Sequence, residues 1–226
     1  MSIPKWTGIL FIIVPIAFNV VFFLLQRAFE YPDILRKPTD YILIRFRQGG
    51  KQLIALWYAF TFTAILFGIA GVLAPHALAP GDAIFVPVVT AVALVAALVQ
   101  ILGLIRWPFV VPHLARAYTE PTASQGAREA IAIVFQALHR YAGVAIGEHL
   151  GYLFTSLWTV LIASAMIRSS LFPSWLGWLG LVPAIGILAG VLEEADFKPA
   201  GPVNALSYIL WSVWVVATGV FMVVAG

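Results

Sequence analysis

The residues with the greatest chemical capacity lie close together, in a stretch of sequence that is otherwise mostly apolar. Five of them recur at intervals that place them on one face of an α-helix: Tyr141, Glu148, Tyr152, Thr155 and Thr159. His149 borders this face and adds an imidazole next to the Glu148 carboxylate. A carboxylate, an imidazole and several hydroxyls can bind a polar ligand or exchange protons with it. Since lipid cannot satisfy such groups, we expect this polar stripe to face the interior of a helix bundle.

Arg106 is the expected partner of Glu148. Arg106 lies at the end of an apolar segment that is predicted to cross the membrane, on the same side of the membrane as Glu148. Gln100 lies on roughly the same face of that helix as Arg106. An ion pair at this boundary would lower the cost of burying both charges. Two alternatives stay open: Arg106 extends alone to lipid phosphate, and Glu148 only marks the end of its helix. The candidate polar cavity has seven members: Gln100, Arg106, His139, Glu148, His149, Tyr152 and Thr155.

Three glycines lie within the same stretch at four-residue spacing. Gly143, Gly147 and Gly151 form a ridge of small residues on one side of the predicted helix. In lipid, such a ridge lets a neighbouring helix approach closely, because backbone atoms replace side chains at the contact. We therefore expect the three glycines to form a helix-packing surface.

The histidines and the lack of cysteine limit metal and redox chemistry. The chain has four histidines and no cysteine, which removes thiolate ligands and disulfides. His139 and His149 are ten residues apart, which on one helix means about 80° of rotation and ~15 Å of rise. Two side chains so placed cannot bind one ion unless the helix breaks between them. The sequence therefore predicts no metal and no cofactor, with a haem or redox subunit as an alternative.

The composition indicates a protein that is embedded in lipid. Hydrophobic residues make up 62% of the 226 residues and charged residues only 10%, against about a quarter in soluble domains. A soluble fold of this size has too little interior to hide so much apolar surface. The small net charge of +3, without a basic and aromatic groove, also argues against nucleic acid as a partner.

Six segments are long and apolar enough to cross a bilayer as helices. They cover residues 6–26, 52–74, 83–105, 149–167, 174–192 and 205–225. The sequence therefore predicts an all-α polytopic membrane protein that forms a single transmembrane domain over residues 1–226. A seventh span through residues 128–147 is the alternative, but it would bury Gln136, His139 and Arg140 within lipid.

The basic residues divide unequally between the two sides of this topology. Eleven of them fall on one side: Arg27, Arg36, Lys37, Arg45, Arg47, Lys51, Arg106, Arg116, Arg128, Arg140 and Lys198. Only Lys5 and Arg168 fall on the other. The positive-inside rule then places the longer loops in the cytoplasm and both termini outside.

Two of the cytoplasmic loops contain amphipathic segments. Thr39 to Gly50 can form a short helix with Ile42, Leu43 and Phe46 on one face, which is typical of a helix lying among lipid headgroups. Ser124 can cap a second helix, on which apolar residues recur at helical spacing: Ile131, Val134, Phe135 and Leu138.

Several short motifs together resemble a known bacterial family. They are the stretches 31–36 (YPDILR), 45–50 (RFRQGG), 106–109 (RWPF), 139–141 (HRY), 147–152 (GEHLGY) and 173–180 (PSWLGWLG). The chain resembles, over most of its length, the integral-membrane family catalogued as domain of unknown function 4386. The resemblance implies a six-helix protein of the bacterial inner membrane, and it supplies no catalytic residues.

The function expected from these features is non-enzymatic. The cytoplasmic-side polar cavity is predicted to bind a lipid-like or small amphipathic molecule, or to serve a membrane partner subunit or a second copy of the chain. The first alternative is an enzyme acting on a lipid or isoprenoid within the membrane, with Glu148 and His149 as acid–base groups. A small transporter is the last, but neither inverted repeats nor broken helices are evident.

Overall fold

The computed structural model describes residues 2–79 and 81–225. Within these ranges the protein is all-α, without strands. The main helices are α1 (Ile3–Phe29), α2 (Thr39–Leu78), α3 (Phe85–Phe109), α4 (Val111–Tyr118), α5 (Gln125–Leu138), α6 (Gly151–Arg168), α7 (Ser174–Ala189) and α8 (Ala200–Ala225). Short 3-10 helices cover Asp33–Arg36 and Gly190–Ala195, and a π-helical segment, His139–Leu150, joins α5 to α6.

Six helical stretches of the described residues are long and apolar enough to span a membrane, which confirms the predicted fold class. They cover Ile3–Phe29, Thr39–Leu78, Phe85–Tyr118, Gln125–Arg168, Ser174–Ala195 and Ala200–Val224. Each packs on the next along the chain, and α8 returns to α1, so the spanning helices close into a ring. The protein is a polytopic membrane protein.

Two of the helical stretches are much longer than a bilayer is thick. Thr39–Leu78 has 40 residues and Gln125–Arg168 has 44, lengths of about 60 Å or more against a hydrocarbon core of ~30 Å. Residues 128–147 are therefore part of the long stretch that continues into α6, and they add no seventh span. Part of each long stretch must extend out of the membrane.

Gly50 divides α2 where the predicted loop helix ends. Its φ of 55° and ψ of −145° interrupt the helix, and glycine adopts this positive φ without a steric penalty. Residues 39–49 therefore form a separate arm in front of the spanning part of α2. In the loop between α4 and α5, the Ser124 hydroxyl accepts a hydrogen bond from the Ala127 amide at 3.2 Å, which confirms the predicted cap of α5.

These extramembrane segments share an aromatic core with the ends of α1 and α3, here called the cap core. Trp57 and Trp107 stack with their ring centroids 4.6 Å apart. Other buried members are Leu25, Phe29, Ile34, Ile42, Leu43, Phe46, Leu53, Phe60, Val111, Leu114, Ala115 and Phe135.

The cap core gives the amphipathic arm, residues 39–49, a different contact from the predicted one with lipid headgroups. Ile42, Leu43 and Phe46 share one face as predicted, but each is at most 2% exposed. Phe46 packs on Phe29 of α1 and on Trp107 of α3. The arm thus buries its apolar face against this chain instead of offering it to lipid headgroups. On α5, Phe135 joins the same core, whereas Val134 is 47% exposed.

Candidate functional site

A small, partly open cavity lies between the spanning helices of the ring. Five helices contribute to its wall, and α7 does not. About 30 Å³ of free volume lies between the lining residues Val14, Pro15, Phe18, Thr63, Ala64, Phe67, Gln100, Thr155, Tyr208 and Trp211. Most of this wall is apolar or aromatic, and a few side chains on it can form hydrogen bonds. The cavity is therefore amphipathic in its chemistry.

Gln100 and Thr155 bring the predicted polar stripe to the wall of this cavity. The Gln100 amide donates a hydrogen bond to the Thr155 hydroxyl at 3.0 Å, which links α3 to α6. One turn further along α6, the Thr159 hydroxyl donates to the Thr155 carbonyl and accepts from the Trp211 indole at 2.8 Å. Polar groups of α3, α6 and α8 thus satisfy one another beside the cavity.

The three glycines of the predicted ridge all face α3. A Cβ built on Gly147 would lie 2.9 Å from the Cα of Gly103, a distance too short for a side chain. Gly143 lies against the Arg106 guanidinium, and Gly151 faces the Gln100 side chain. Because Gln100, Gly103 and Arg106 are spaced three apart on α3, the contact between the two helices is a line of matched positions.

Arg106 is buried, but it is not paired with Glu148 as we had predicted. Only 8% of the residue is exposed. Its guanidinium donates to the Gly103 carbonyl, approaches the His139 Nδ1 at 3.5 Å and lies 5.1 Å from the Trp107 ring centroid. The close contact with Gly143 holds the guanidinium in this position. Arg106 belongs to none of the ion pairs among the described residues.

Glu148 therefore has no direct partner. It is half-buried, and among the described residues its carboxylate forms no side-chain hydrogen bond and belongs to none of the ion pairs. It lies near Tyr31 in the turn between α1 and α2. Burial raises the pKa of the Tyr31 hydroxyl, the Glu148 charge raises it further, and Arg106 opposes this. Glu148 thus faces the junction between the cap core and the membrane-spanning ring.

Tyr141 does not belong to the polar stripe. The residue is 68% exposed, whereas Thr155 and Thr159 are buried. The prediction assumed 3.6 residues per turn, but His139–Leu150 is π-helical and has more residues per turn. A spacing of seven between Tyr141 and Glu148 therefore no longer returns to the same face.

The other predicted members of the polar cavity, His139, His149 and Tyr152, lie in three different environments. His139 is buried and stacks on Phe135, with 5.7 Å between the ring centroids. His149 is half-buried and has no side-chain hydrogen bond within the described ranges. Tyr152 packs on Tyr208, which lines the cavity, at 6.0 Å. No three acidic or histidine side chains in the described part of the chain are grouped to hold a metal ion.

Two sets of residues at the site were missed from the sequence. Tyr208 and Trp211 line the cavity, and their three-residue spacing in the last span was the available signal. Glu193 and Glu194 pair with Arg36 and Arg140 respectively. These pairs tie the connector before α8 to the first loop and to the π-helical segment. Adjacent acidic residues alone do not indicate such partners.

Comparison with known proteins gives one result. Residues 6–226 match the family described as Domain of unknown function (DUF4386). No curated protein and no solved structure matches the chain.

Proposed function

The chain belongs to the DUF4386 family, whose description assigns no activity, and we propose from its geometry that it binds a small amphipathic molecule inside the membrane. The observation that carries this proposal is the central cavity. Its free volume of about 30 Å³ is far below the ~300–1,000 Å³ that enclose a whole small molecule, so the cavity admits only a small group. Such a site suits the polar end of an amphipathic molecule whose apolar part stays in the surrounding lipid.

The chemistry of the wall supports an amphipathic ligand. Phe18, Phe67 and Ala64 offer apolar surface from α1 and α2. On the opposite side, the Gln100 amide group donates to Thr155, and its carbonyl oxygen accepts no hydrogen bond within residues 2–79 and 81–225. That oxygen is available to a hydroxyl or amine of a ligand. A purely apolar molecule would leave it unsatisfied, which costs free energy in a dry site.

We also propose that the protein lies in the bacterial inner membrane with both termini outside. The support is the division of basic residues, eleven against two, and the positive-inside rule. The surrounding lipids are then the natural source of the ligand, since a molecule of this class partitions into the bilayer before it reaches the cavity.

Native mass spectrometry of the purified protein tests the proposal. Ala64 lines the cavity and is 3% exposed, so Ala64→Leu should fill part of the space. Ala91 faces outward from α3, which makes Ala91→Leu a control with the same added volume. We expect a bound small molecule in the wild type and in Ala91→Leu, and its loss in Ala64→Leu.

Titration with octanol in nanodiscs extends this test to a known probe. Octanol should raise the melting temperature of the wild type and of Ala91→Leu, but not that of Ala64→Leu. If it stabilises all three proteins equally, the cavity is not the binding site and the proposal is wrong. Recovery of a chemically altered ligand would instead favour the membrane enzyme.

A further inference from the structure

We propose that the outer face of α5 and of the π-helical segment rests on the membrane surface, with its apolar side chains among the lipid headgroups. Ile133 is 70% exposed and Tyr141 is 68% exposed, although both precede the fourth predicted span, residues 149–167. Ala137 and Ala145 are also exposed. These four residues, here called the outer row, follow one another at intervals of four. Contiguous apolar surface of this kind marks a contact with a membrane or a protein.

A second row, displaced from the outer row by two residues, packs into the molecule. Its members are Phe135, His139, Gly143, Gly147, Gly151 and Thr155, and each of them contacts α3 between Gln100 and Trp107. Both rows repeat every four residues, so a displacement of two is half a turn. The outer row therefore points directly away from α3.

The π-helical segment joins the outer row to the lipid-facing side of α6. Residues four apart drift by ~40° per step around an α-helix, but a π-helix has more residues per turn and rotates the row back. The same four-residue interval leads through the half-buried His149 to Leu153 and Leu157, which are 39% and 41% exposed. These leucines lie on a membrane-spanning helix, so their exposed surface faces lipid. One continuous face thus leads from the bilayer to α5.

The contacts of α5 with α3 place the outer row near the end of the spans. Phe135 lies ~18 Å along its helical stretch from Gly147, whereas Trp107 lies only ~6 Å along α3 from Gly103. Yet Gly147 touches Gly103, and the Phe135 and Trp107 ring centroids are 6.3 Å apart. Both contacts can form only if α5 leans across the end of α3. Because α5 leans in this way, the outer row stays close to the level of the headgroups.

The side chains around the outer row fit a lipid surface. Gln136 and Arg140 each precede a member of the row, about 100° round the helix, and both are exposed. An apolar face with a polar flank is typical of a helix lying in the membrane interface, where tyrosine is enriched. The lipid that covers Leu153 and Leu157 is continuous with the headgroup layer. It reaches the outer row without a protein partner.

Spin labels on single cysteines test this contact, which is independent of the cavity. Ile133→Cys, Ala137→Cys and Tyr141→Cys carry the label in the outer row, and the chain has no native cysteine. In nanodiscs, collisions with oxygen report lipid, and collisions with a water-soluble nickel chelate report water. Leu157→Cys is the lipid reference, and Thr122→Cys, in the exposed loop before α5, is the aqueous reference. Gln136→Cys, next to the row on its polar flank, is the matched control.

The ratio of oxygen to nickel collisions should place the outer row between the two references. All three row labels should have a higher ratio than Thr122→Cys and Gln136→Cys, and a lower ratio than Leu157→Cys, as expected at headgroup depth. Ratios equal to that of Thr122→Cys would place the row in water and overturn the proposal. Low accessibility to both reagents would also overturn it, because a second copy of the chain or another protein would then cover the row. The substituted side chains are exposed, so melting temperatures close to that of the wild type should confirm that the variants fold.

Discussion

Arg106 and Glu148 show how two charges of opposite sign can be buried near each other without forming a pair. The charge of Arg106 is stabilised by the Gly103 carbonyl, the His139 imidazole and the Trp107 indole ring. Such contacts stabilise a guanidinium and also hold it in one orientation. Glu148 is left with solvent and neighbouring tyrosines, so each residue should contribute to stability by itself.

A double-mutant cycle measures this independence. Arg106→Ala should lower the free energy of unfolding by about 2–4 kcal/mol, because it leaves a hole beside Gly143 and removes buried contacts. Glu148→Gln should change it by less than ~1 kcal/mol. The double variant should equal the sum of the two within ~0.5 kcal/mol. A large coupling energy, measured by thermal unfolding in nanodiscs, would show that the two residues pair after all.

Asp82 provides a titrating group outside the membrane-spanning helices. Its carboxylate accepts hydrogen bonds from the backbone amides of Phe85, at 2.8 Å, and of Ile84, at 3.0 Å. These bonds favour the ionised form and lower the pKa of Asp82 below its usual value. The Asp82 carboxylate thus accepts hydrogen bonds from amides at the start of α3, which have no carbonyl partner within the helix.

The stability given by Asp82 should therefore depend on pH. A depressed pKa in the folded state means that the stabilisation is present above the pKa of the unfolded chain, and is lost as the pH falls through the folded value. At pH ~7, Asp82→Ala should have a lower melting temperature than the wild type. As the pH falls below ~4, the melting temperatures of the two proteins should converge. A constant difference between the two melting temperatures over the whole pH range would contradict this role of Asp82.

At the scale of helices, the contact between α3 and the π-helical segment depends on two glycines. The backbones of Gly103 and Gly147 touch without intervening side chains. In lipid there is no hydrophobic drive between helices, so close packing of this kind supplies much of their association. A single methyl group at this position must push the helices apart.

Gly147→Ala tests this contact, and Gly126→Ala is the matched control. A Cβ on Gly126 meets nothing within 4 Å, so alanine there should stabilise α5 by up to about 1 kcal/mol through its helix propensity. Gly147→Ala gains the same propensity but should lower the free energy of unfolding by at least ~1 kcal/mol. Equal melting temperatures would show that α3 can move away without cost.

The same elements show where sequence reasoning ends. Apolar length predicts the spans and glycine spacing predicts the helix-packing ridge, because these properties are local to one helix. The π-helical segment depends on how residues 139–150 pack on α3, so the exposed position of Tyr141 could not be predicted. The partners of Arg106 and the pairing of Glu193 with Arg36 join residues far apart in sequence, and charge alone did not identify them.

For the molecule as a whole, the two ends of the ring differ in their chemistry. One end carries the cap core and the ion pairs of Arg36 and Arg140. The ion-pair side chains are 32–68% exposed, so each pair should contribute less than ~1 kcal/mol. The aromatic cap core must therefore provide most of the stability at this end. Because ten of the twelve basic residues other than Arg106 lie in its loops and helix ends, this end should face the cytoplasm.

Labelling of single cysteines tests that orientation, and the absence of native cysteine means that no background must be removed. Ser2 and Ser170 are exposed at the end opposite the cap, and Thr122 is exposed in the loop between α4 and α5. In intact cells, a membrane-impermeant thiol reagent should modify Ser2→Cys and Ser170→Cys but not Thr122→Cys, which should react only after the cells are opened. None of the three side chains caps a helix or packs in a core, so the substitutions should leave the fold unchanged. The reverse pattern would place the cap outside the cell, and the amphipathic ligand would then be drawn from the opposite leaflet.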